Sequence, residues 1–535
     1  MSVMAAGAAA PALKPSVATP ACDRPILGIL AVILGAFISS LNTKLTTFGL
    51  ADVRGALGFG FDEATWISTV FGAAQMAVTP AAAWMATVLS TRRVLLWTGS
   101  IFALASVFPP FVHDYSLTIF LQLVRGLAVG AFIPAALGFV LRSLQPRWWM
   151  WGIAAYAFRF TFSQNISGSI EGFYSESGFW EGLYWQNVPL TLLMLALVAL
   201  AMPRRAVDKV LLARTDWGAI VYGGVGFALI YAGLDQGNRL DWMNSGLVNG
   251  LLLGGLFLIV IFFVHEALTP APLIHLSVLR KINVWGPALL ISIYGFGSTA
   301  TGYVLPDYMT RVQGLRDIQI GDTLNWIALP QIVLVPIVAL LVRRVDARYL
   351  LVAGFATIAV GSWMDTGLTH DWAGGDFLPS QCVEAVGLAF AITALVTYAV
   401  SFITPPQAAA IATTIQIARL MGAELGSAVI QTFVRVREQT HSNELGTHVM
   451  SGAASTTDAQ TVLSGLFANR ATGLGDAAAQ GTGLLAAAVQ REAYVLAYID
   501  AFWLVAWVSL AGLLVIVLLR QPPPNPLTPP RTPVS

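Results

Sequence analysis

The sequence predicts an all-α polytopic membrane protein, because its composition is strongly apolar and its apolar residues form a series of long segments. Of the 535 residues, 56% are hydrophobic and 11% are charged, whereas soluble domains carry roughly 25% charged residues. The mean hydropathy is +0.71. These values exclude a soluble enzyme, a disordered chain and a nucleic-acid-binding protein. The two cysteines, Cys22 and Cys382, exclude a disulfide scaffold.

A membrane-spanning helix needs about 20 mostly apolar residues, and the chain contains about fourteen candidate segments. Several carry internal proline, which membrane helices tolerate when neighbouring helices satisfy the freed carbonyl groups. The predicted helices cover residues 26–50, 65–88, 94–112, 116–141, 148–173, 187–202, 217–234, 246–265, 284–306, 320–342, 349–367, 377–402, 407–434 and 494–519.

The basic residues predict the orientation of these helices. If the N-terminus is cytoplasmic, seventeen Lys and Arg residues fall in cytoplasmic segments and four in short external loops. This distribution follows the positive-inside rule, so we expect a multi-pass membrane protein with both termini in the cytoplasm. The four external residues are Arg54, Arg239, Arg311 and Arg316.

Three segments lie outside this pattern. Residues 1–25 and 520–535 are rich in proline and predict disordered cytoplasmic tails. The apolar stretch after Pro25 is too long for a signal-peptide core. Residues 435–493 form a long external loop whose later part has apolar residues at helical spacing. We expect a partly helical segment that docks a partner, with a flexible surface loop as the alternative.

Six short motifs occur in a consistent order along the chain. They are LQLVRGLAVGAFIPAA in helix four, WQNVP before helix six, TDWGA opening helix seven, LDQGNRLDW after it, PLIHLSVLRKINV before helix nine, and IARLMGAELGSAV in helix thirteen. In this order they resemble the fourteen-span drug:proton antiporters of the major facilitator superfamily, the multidrug exporters of the EmrB type. The resemblance covers nearly the whole chain.

The resemblance implies a major facilitator fold with two six-helix bundles, residues 26–202 and 284–519, and a substrate path between them. Residues 203–283 would hold a cytoplasmic linker and an inserted pair, helices seven and eight. It also implies proton-coupled export across the inner membrane, and a periplasmic adaptor with an outer-membrane channel as partners that contact the external loop.

The sequence departs from the family pattern in three motifs. In the loop between helices two and three, Arg92 and Arg93 are retained as gating residues, but Thr87 and Ser90 replace an acid and a glycine. Helix one has Asn42 where an Asp is usual, with Lys44 close by. The Gly-Pro antiporter motif of helix five is replaced by SQNISGSIEG.

Charged side chains inside a membrane are costly, so each is a functional candidate. We assign proton coupling to Arg125, Glu171, Glu384 and Glu424. Arg125 would control the proton affinity of a nearby carboxylate, or else bond backbone carbonyls. Glu171 would carry a proton or bind a cationic group, or else sit solvated at the helix end. For Glu424, a structural or paired role is the alternative.

The remaining polar positions are substrate-binding candidates. Gln164 and Ser167 share a face of helix five with Glu171, so this stripe should face the substrate path. Lys44 would bind an anionic substrate or pair with an acid such as Glu171, or else extend its amine to the membrane surface. The full set is Asn42, Lys44, Gln122, Arg159, Gln164, Ser167 and Arg419.

These observations predict a proton-coupled secondary transporter that exports drugs or other small amphipathic molecules by alternating access. The alternatives are a transporter of organic anions and a non-transporting membrane sensor or scaffold. No nucleophile–base pair suggests an enzyme. The six histidines all fall in predicted loops without metal-ligand spacing, so neither a metal nor another cofactor is expected. The expected partners are a small-molecule substrate, protons and the lipid bilayer.

Overall fold

A computed structural model describes residues 24–213, 215–269, 282–402, 408–449, 453–467 and 474–522. Most of the two predicted tails and of the PLIHLSVLRKINV segment lie outside these residues. So do five of the basic residues that set the predicted orientation: Lys14, Arg214, Arg280, Lys281 and Arg531. Within the described residues the protein is helical and has no β-strand, as the sequence predicts.

Among the described residues, fourteen long helical segments, α1 to α14, follow the predicted order. Their bounds are Pro25–Phe48, Phe61–Met85, Thr91–Val107, Tyr115–Gly130 continued by Phe132–Ser143, Pro146–Ser177, Asn187–Ala201, Trp217–Gly237, Gly246–Leu268, Ile282–Gly297 continued by Leu305–Arg311, Asp317–Ala328 continued by Gln331–Leu341, Ala347–Met364, Leu378–Ser401, Ala408–His448 and Leu474–Val517.

Eleven spans among the described residues are long and apolar enough to cross a membrane. The other three long helices, α2, α5 and α13, fall outside that group. Both α5 and α13 carry several charged residues, including Arg159 and Glu171 in α5 and Arg419 and Glu424 in α13. The polar residues of these helices therefore need protein partners rather than lipid.

The contacts between helices group α1 to α6 on one side and α9 to α14 on the other. In the first group α1 packs on α5 and α6, and α2 packs on α4; in the second, α9 packs on α13, and α11 on α12 and α14. The two groups meet along a seam where α5 contacts α10 and where α2 and α4 contact α13. The inserted helix α7 packs on α8, α2 and α13, so it covers part of this seam.

Short polar caps begin several helices. The Asp114 carboxylate accepts from the Leu117 N–H at the start of α4, and the Asp216 carboxylate accepts from the Ala219 N–H at the start of α7. Such caps satisfy N–H groups that the first helical turn leaves unpaired. Gly178, with a φ of 66°, ends α5 in the left-handed conformation that glycine adopts without strain.

Glycine lets α4 approach α2 closely. A Cβ on Gly126 would lie 2.4 Å from the Phe71 carbonyl oxygen, and one on Gly130 would lie 2.6 Å from that of Gln75. Small residues on one face of a helix allow such close packing in membranes. It positions Arg125, which lies on the same helix, against the interior of the first bundle.

The segment predicted to be external, residues 435–493, is more helical in its described part than the sequence suggested. Helix α13 continues to His448 instead of ending at residue 434, and α14 begins at Leu474 instead of 494. A further helix, Ala454–Gly465, packs on α14, where a Cβ on Gly481 would lie 2.5 Å from the Ser464 hydroxyl. The polar turns at the end of α13 remain helical because they pack on α14, where Arg437 and His441 bond Asp500, a contact that apolar periodicity does not report.

Candidate functional site

Arg125 is the centre of a buried network in the first bundle. Its side chain is 1% exposed, and it donates to Gln122 Oε1 at 2.7 Å, Asn42 Oδ1 at 3.0 Å and Ser106 Oγ at 3.2 Å. The guanidinium also lies 4.6 Å from the centre of the Tyr184 ring. These partners are side chains, so the alternative of an Arg bonded to backbone carbonyls does not describe this site.

The same network accounts for two predicted substrate-binding residues. Asn42 donates to Asn187 Oδ1 at 2.7 Å, and Gln122 donates to the Tyr184 hydroxyl at 3.0 Å. Asn187 belongs to the WQNVP motif. Asn42 and Gln122 are thus engaged within the bundle, where they orient Arg125.

Arg159 and Arg419 flank the ring of Phe160. The Arg159 guanidinium donates to Ser40 Oγ at 2.5 Å and lies 4.4 Å from the Tyr156 ring centre. Arg419 donates to Gln416 Oε1 at 3.1 Å and lies 4.7 Å from the centre of the Phe160 ring.

The ring faces hold these two cations by cation–π attraction. Arg159 is fully buried, and among the described residues its Nε and Nη2 atoms have no hydrogen-bond partner. The pair therefore concentrates positive charge where α5 meets the second bundle.

Lys44 is half-buried on α1, and its charged neighbours are Glu424 and Arg419. Its Nζ lies 3.3 Å from the position that a Cβ on Gly302 would take, so the amine reaches the second bundle. Glu171 instead has Asp317 and Asp52 as its charged neighbours. The structure thus places Lys44 near an acid, as one alternative predicted, but the acid is Glu424.

Glu424 meets the inserted helix α7. Its carboxyl lies against the Tyr231 hydroxyl and within hydrogen-bonding reach of the Asp235 carboxyl. Asp235 in turn accepts from the Thr69 hydroxyl of α2. Lys44 and Glu424, which the sequence treated separately, therefore belong to one cluster with Tyr231, Asp235 and Thr69.

Sequence reasoning missed Asp235 and Tyr231. Helix seven was predicted to end at residue 234, which placed Asp235 in a loop, whereas α7 continues to Gly237. The two residues are four apart and share a helix face. That spacing was the available signal.

Glu384 lies in a second buried acidic site. It is fully buried where α11 crosses α12, next to Gly361 and close to the equally buried Asp365. Among the described residues, both Glu384 carboxyl oxygens and the Gln381 amide lack hydrogen-bond partners.

The polar stripe of α5 is largely covered. Ser167 donates to the Gln164 backbone carbonyl at 2.6 Å. Glu171 is 1% exposed, and its next residue, Gly172, touches α10, where a Cβ would lie 2.4 Å from the Ile318 Cα. Glu171 is therefore buried beside α10 and is not a solvated helix end.

In the loop between α2 and α3, the predicted gating residue Arg92 contacts its own bundle. Arg92 donates to the Ala199 carbonyl of α6 in its own bundle, at 3.2 Å, and Arg93 is exposed. Ser90 adopts a φ of 78° and a ψ of 142°, a conformation that essentially only glycine adopts without strain. This explains on physical grounds why glycine suits that position.

The prediction that every histidine lies in a loop was wrong for His265, His441 and His448, which lie in helices. His265 bonds Asp216 at 2.7 Å, and His441 bonds Asp500 at 2.8 Å. Among the described residues no group of three or more His, Cys, Asp or Glu side chains could hold a metal ion.

Comparisons with known proteins identify the family. A family model described as Major Facilitator Superfamily matches residues 32–429. The chain is 23% identical to the multidrug export protein EmrB of Escherichia coli strain K12, over 93% of this chain and 96% of EmrB. It is 22% identical to the fatty acid resistance protein FarB of Neisseria gonorrhoeae, over 92% of this chain and 96% of FarB.

The fold has a solved counterpart. The crystal structure of the human organic anion transporter MFSD10 aligns with a TM-score of 0.55 and 11% identity, over 92% of this chain and 99% of that chain, which is a likeness of fold alone. The predicted fold class is confirmed, although eleven rather than fourteen spans meet the criterion of length and apolarity among the described residues. Because the family match runs from α1 into α13, the chain belongs to the major facilitator superfamily, a family of membrane transporters and not of enzymes.

Proposed function

We propose that this protein is a proton-coupled exporter of small amphipathic molecules, with Lys44 and Glu424 at the coupling site. The observation that carries the proposal is the position of these two residues, on α1 and α13, on opposite sides of the seam between the bundles. Likeness to the multidrug exporter EmrB supports the direction and the substrate class.

The chemistry of this site favours coupling. An ionised Glu424 attracts Lys44, and a neutral Glu424 does not. Protonation would therefore change the attraction between the bundles, and a change in that attraction biases which side of the transporter is open. Alternating access needs such a bias at a site near the middle of the membrane.

Arg125 has a supporting role in this proposal. Its partners within the described residues are uncharged, so it acts by holding α1, α3 and α4 together and not by direct contact with a carboxylate. Glu384 is the second candidate for proton coupling. It is buried, and neither of its carboxyl oxygens has a hydrogen-bond partner among the described residues, so either can take a proton. Glu171 is the third.

Proton movement can be measured in inverted membrane vesicles that contain a pH-sensitive dye. With the native chain, we expect added ethidium to raise the internal pH of acid-loaded vesicles, because protons leave as ethidium enters. Glu424→Gln should abolish this response. Glu444→Gln is the matched control, because Glu444 lies on the same helix with its side chain 68% exposed. A native chain that moves ethidium without protons would refute the coupling.

Transport of organic anions is a second candidate function. Arg159 and Arg419 both lie on aromatic rings near the seam, and they donate to the uncharged side chains of Ser40 and Gln416, so an anionic head group would find two cations there. Likeness to the fatty acid resistance protein FarB favours the same class.

The two functions differ in their response to Arg159→Gln. If anions are carried, this change should abolish transport of dodecanoate and leave that of ethidium, and Arg344→Gln, an exposed arginine, should leave both. Equal loss of both probes would contradict a specific anion role for Arg159.

We further propose that both termini are cytoplasmic, and that a helical arm docks a periplasmic adaptor. The arm consists of the end of α13, the helix Ala454–Gly465 with the adjoining Leu466, and the start of α14. Exposed apolar side chains on the arm, Val462 at 69% and Leu466 at 66%, give an adaptor a surface to contact. A photo-crosslinker at either position should capture a partner in the native membrane, and one at exposed Val345, on the opposite face, should not. Equal capture from both positions would contradict the docking.

A further inference from the structure

We infer that Asp235, on the inserted helix α7, shares a single proton with Glu424, and that this shared proton fastens α7 to α13 across the seam between the bundles. The inference rests on the proposed proton coupling and assigns part of it to a helix outside the two six-helix bundles. It begins with packing: α7 lies against α13, which places the Asp235 carboxyl beside the Glu424 carboxyl of a different helix.

Two carboxyl groups can contact each other through oxygen only if a hydrogen lies between them. Carboxylates at such a distance cannot both be ionised, because their charges repel. In the conformation described here, one proton is therefore held by Asp235 and Glu424 together. The ionisable groups that face the pair are Lys44, Arg419, Tyr231 and Arg239.

Asp235 is fixed to the first bundle. Its carboxyl accepts from the Thr69 hydroxyl of α2, and Gln236 donates to the same hydroxyl. Two glycines bring α7 and α2 into close contact: a Cβ on Gly224 would lie 2.4 Å from the Ala77 carbonyl oxygen, and one on Gly72 would lie 2.5 Å from the Tyr231 hydroxyl. Helix α7 should therefore move together with α2.

Glu424 belongs to the second bundle, so its contact with Asp235 crosses the seam. With one proton shared, the contact attracts; with none, two anions repel across the seam. Loss of the proton should thus separate α7 from α13. Two neighbouring contacts cross at the same place and would open with it: Trp242 donates to the Thr432 hydroxyl at 2.9 Å, and Arg435 lies 3.4 Å from Asp241.

A line of polar side chains leads from Asp235 to the surface. Gln236 accepts from Arg239 Nε at 2.7 Å, and Arg239 forms an ion pair with Asp62, whose side chain is 84% exposed. This surface is the predicted external side. A proton that enters from there meets Asp235 before Glu424, which is the order that proton-driven export requires.

The first test measures proton flux with the full chain in proteoliposomes, using ethidium as the probe. We expect Asp235→Asn to lower ethidium-dependent proton flux at least tenfold while ethidium binding persists, and Asp235→Glu to restore part of the flux. Asp322→Asn, an exposed carboxylate on α10, is the matched control. Native proton flux in Asp235→Asn would overturn the inference and leave the proposed coupling intact. Absence of flux in the native chain would overturn the coupling instead.

The second test does not depend on transport. Infrared spectra should show a protonated carboxyl band that both Asp235→Asn and Glu424→Gln remove, because the band belongs to the pair. A second measurement uses the cysteine pair Asp241→Cys and Arg435→Cys, with the native cysteines replaced by serine. Relative to a cysteine pair within one helix, its disulfide should form less readily at alkaline pH than at acidic pH. With Asp235→Asn added, whose amide can donate to Glu424 at any pH, that dependence should disappear. A band unchanged in either variant would overturn the shared proton.

Discussion

At the residue scale, the buried cations of this protein are held mainly by amides, hydroxyls and rings. Arg125 donates to three side-chain acceptors on three helices, and it uses a different guanidinium nitrogen for each. The planar fork of a guanidinium is therefore needed to reach all three at once. The carboxylates gather elsewhere, at Glu424 with Asp235 and at Glu384 with Asp365. In the proposed mechanism, this separation lets the acids exchange protons while the arginines hold the helices together.

Replacing Arg125 with lysine tests this structural role. Arg125→Lys keeps the charge but cannot reach Asn42, Gln122 and Ser106 at once, so at least one buried group is left unpaired. We expect a loss of about 2 kcal/mol in stability and loss of transport. Thermal unfolding in detergent and ethidium efflux measure the two effects. Arg344→Lys, at an exposed arginine, should change neither, and a native-like Arg125→Lys would contradict the network.

Ser90 provides a residue-scale prediction with the opposite sign. Its left-handed backbone costs roughly 1–3 kcal/mol for a residue with a Cβ, and its buried hydroxyl has no partner among the described residues. Ser90→Gly should therefore stabilise the protein by about 1 kcal/mol after the entropy cost of glycine. Ser100→Gly, within regular α3, should destabilise it. A lower unfolding temperature in Ser90→Gly would contradict the strain.

At the element scale, the start of α7 is set by one carboxylate. Asp216 accepts from the Ala219 N–H at 3.0 Å and contacts His265 of α8 at 2.7 Å. Burial raises the pKa of Asp216, but these hydrogen bonds and the His265 charge outweigh it and hold the pKa below the ordinary value of 3.8. The cap therefore fastens the inserted pair in the same region where Trp84 of α2 donates to the Thr215 hydroxyl.

Changing Asp216 tests the cap and its pH dependence. Asp216→Ala should lower stability by about 1 kcal/mol. Because the folded pKa is depressed, the stabilisation by ionised Asp216 is present above the unfolded pKa and is lost as pH falls below about 4. Asp216→Asn keeps a capping oxygen without this titration. On acidification the native protein should therefore lose its stability advantage over Asp216→Ala, whereas Asp216→Asn should keep its own. Unfolding curves at neutral and acidic pH measure this, and an identical acid response in all three proteins would contradict the assignment.

At the scale of the whole molecule, the seam between the bundles is closed tightly on the predicted external side. Gly172 of α5 approaches the Ile318 backbone, Gly321 of α10 approaches the Ser169 backbone, and Arg316 lies 3.0 Å from Glu176. The ion pair is solvent-exposed and contributes little, so the close backbone contact is the main feature of this closure.

Adding one methyl group at this contact tests its importance. In Gly172→Ala the new Cβ would lie 2.4 Å from Ile318 Cα, so α5 and α10 must separate. We expect a loss of about 1–3 kcal/mol and greater reactivity of a cysteine placed at Ser169. Gly250→Ala is the control, because its Cβ would meet nothing within 4 Å. Equal behaviour of the two variants would show that the contact is not required.

The sequence by itself determined the fold class, the order of the helices and the family, because hydropathy and short motifs are local properties of the chain. It also identified Arg125, Lys44, Arg159, Glu384, Arg419 and Glu424 as charges buried or half-buried in the helices. It misplaced the end of α13, since polar turns that pack on another helix carry no apolar signal, and it assigned the start of α14 to the partly helical loop before it.

Only the tertiary structure decided which charges meet. Lys44 and Glu424 are far apart in the chain, and Asp235 comes from a helix that the sequence ended three residues too early. No local pattern specifies contacts between distant residues; they follow from how α1, α7 and α13 pack around the seam. The partner of each charge, and with it the proposed proton pair, therefore follows from packing and not from periodicity.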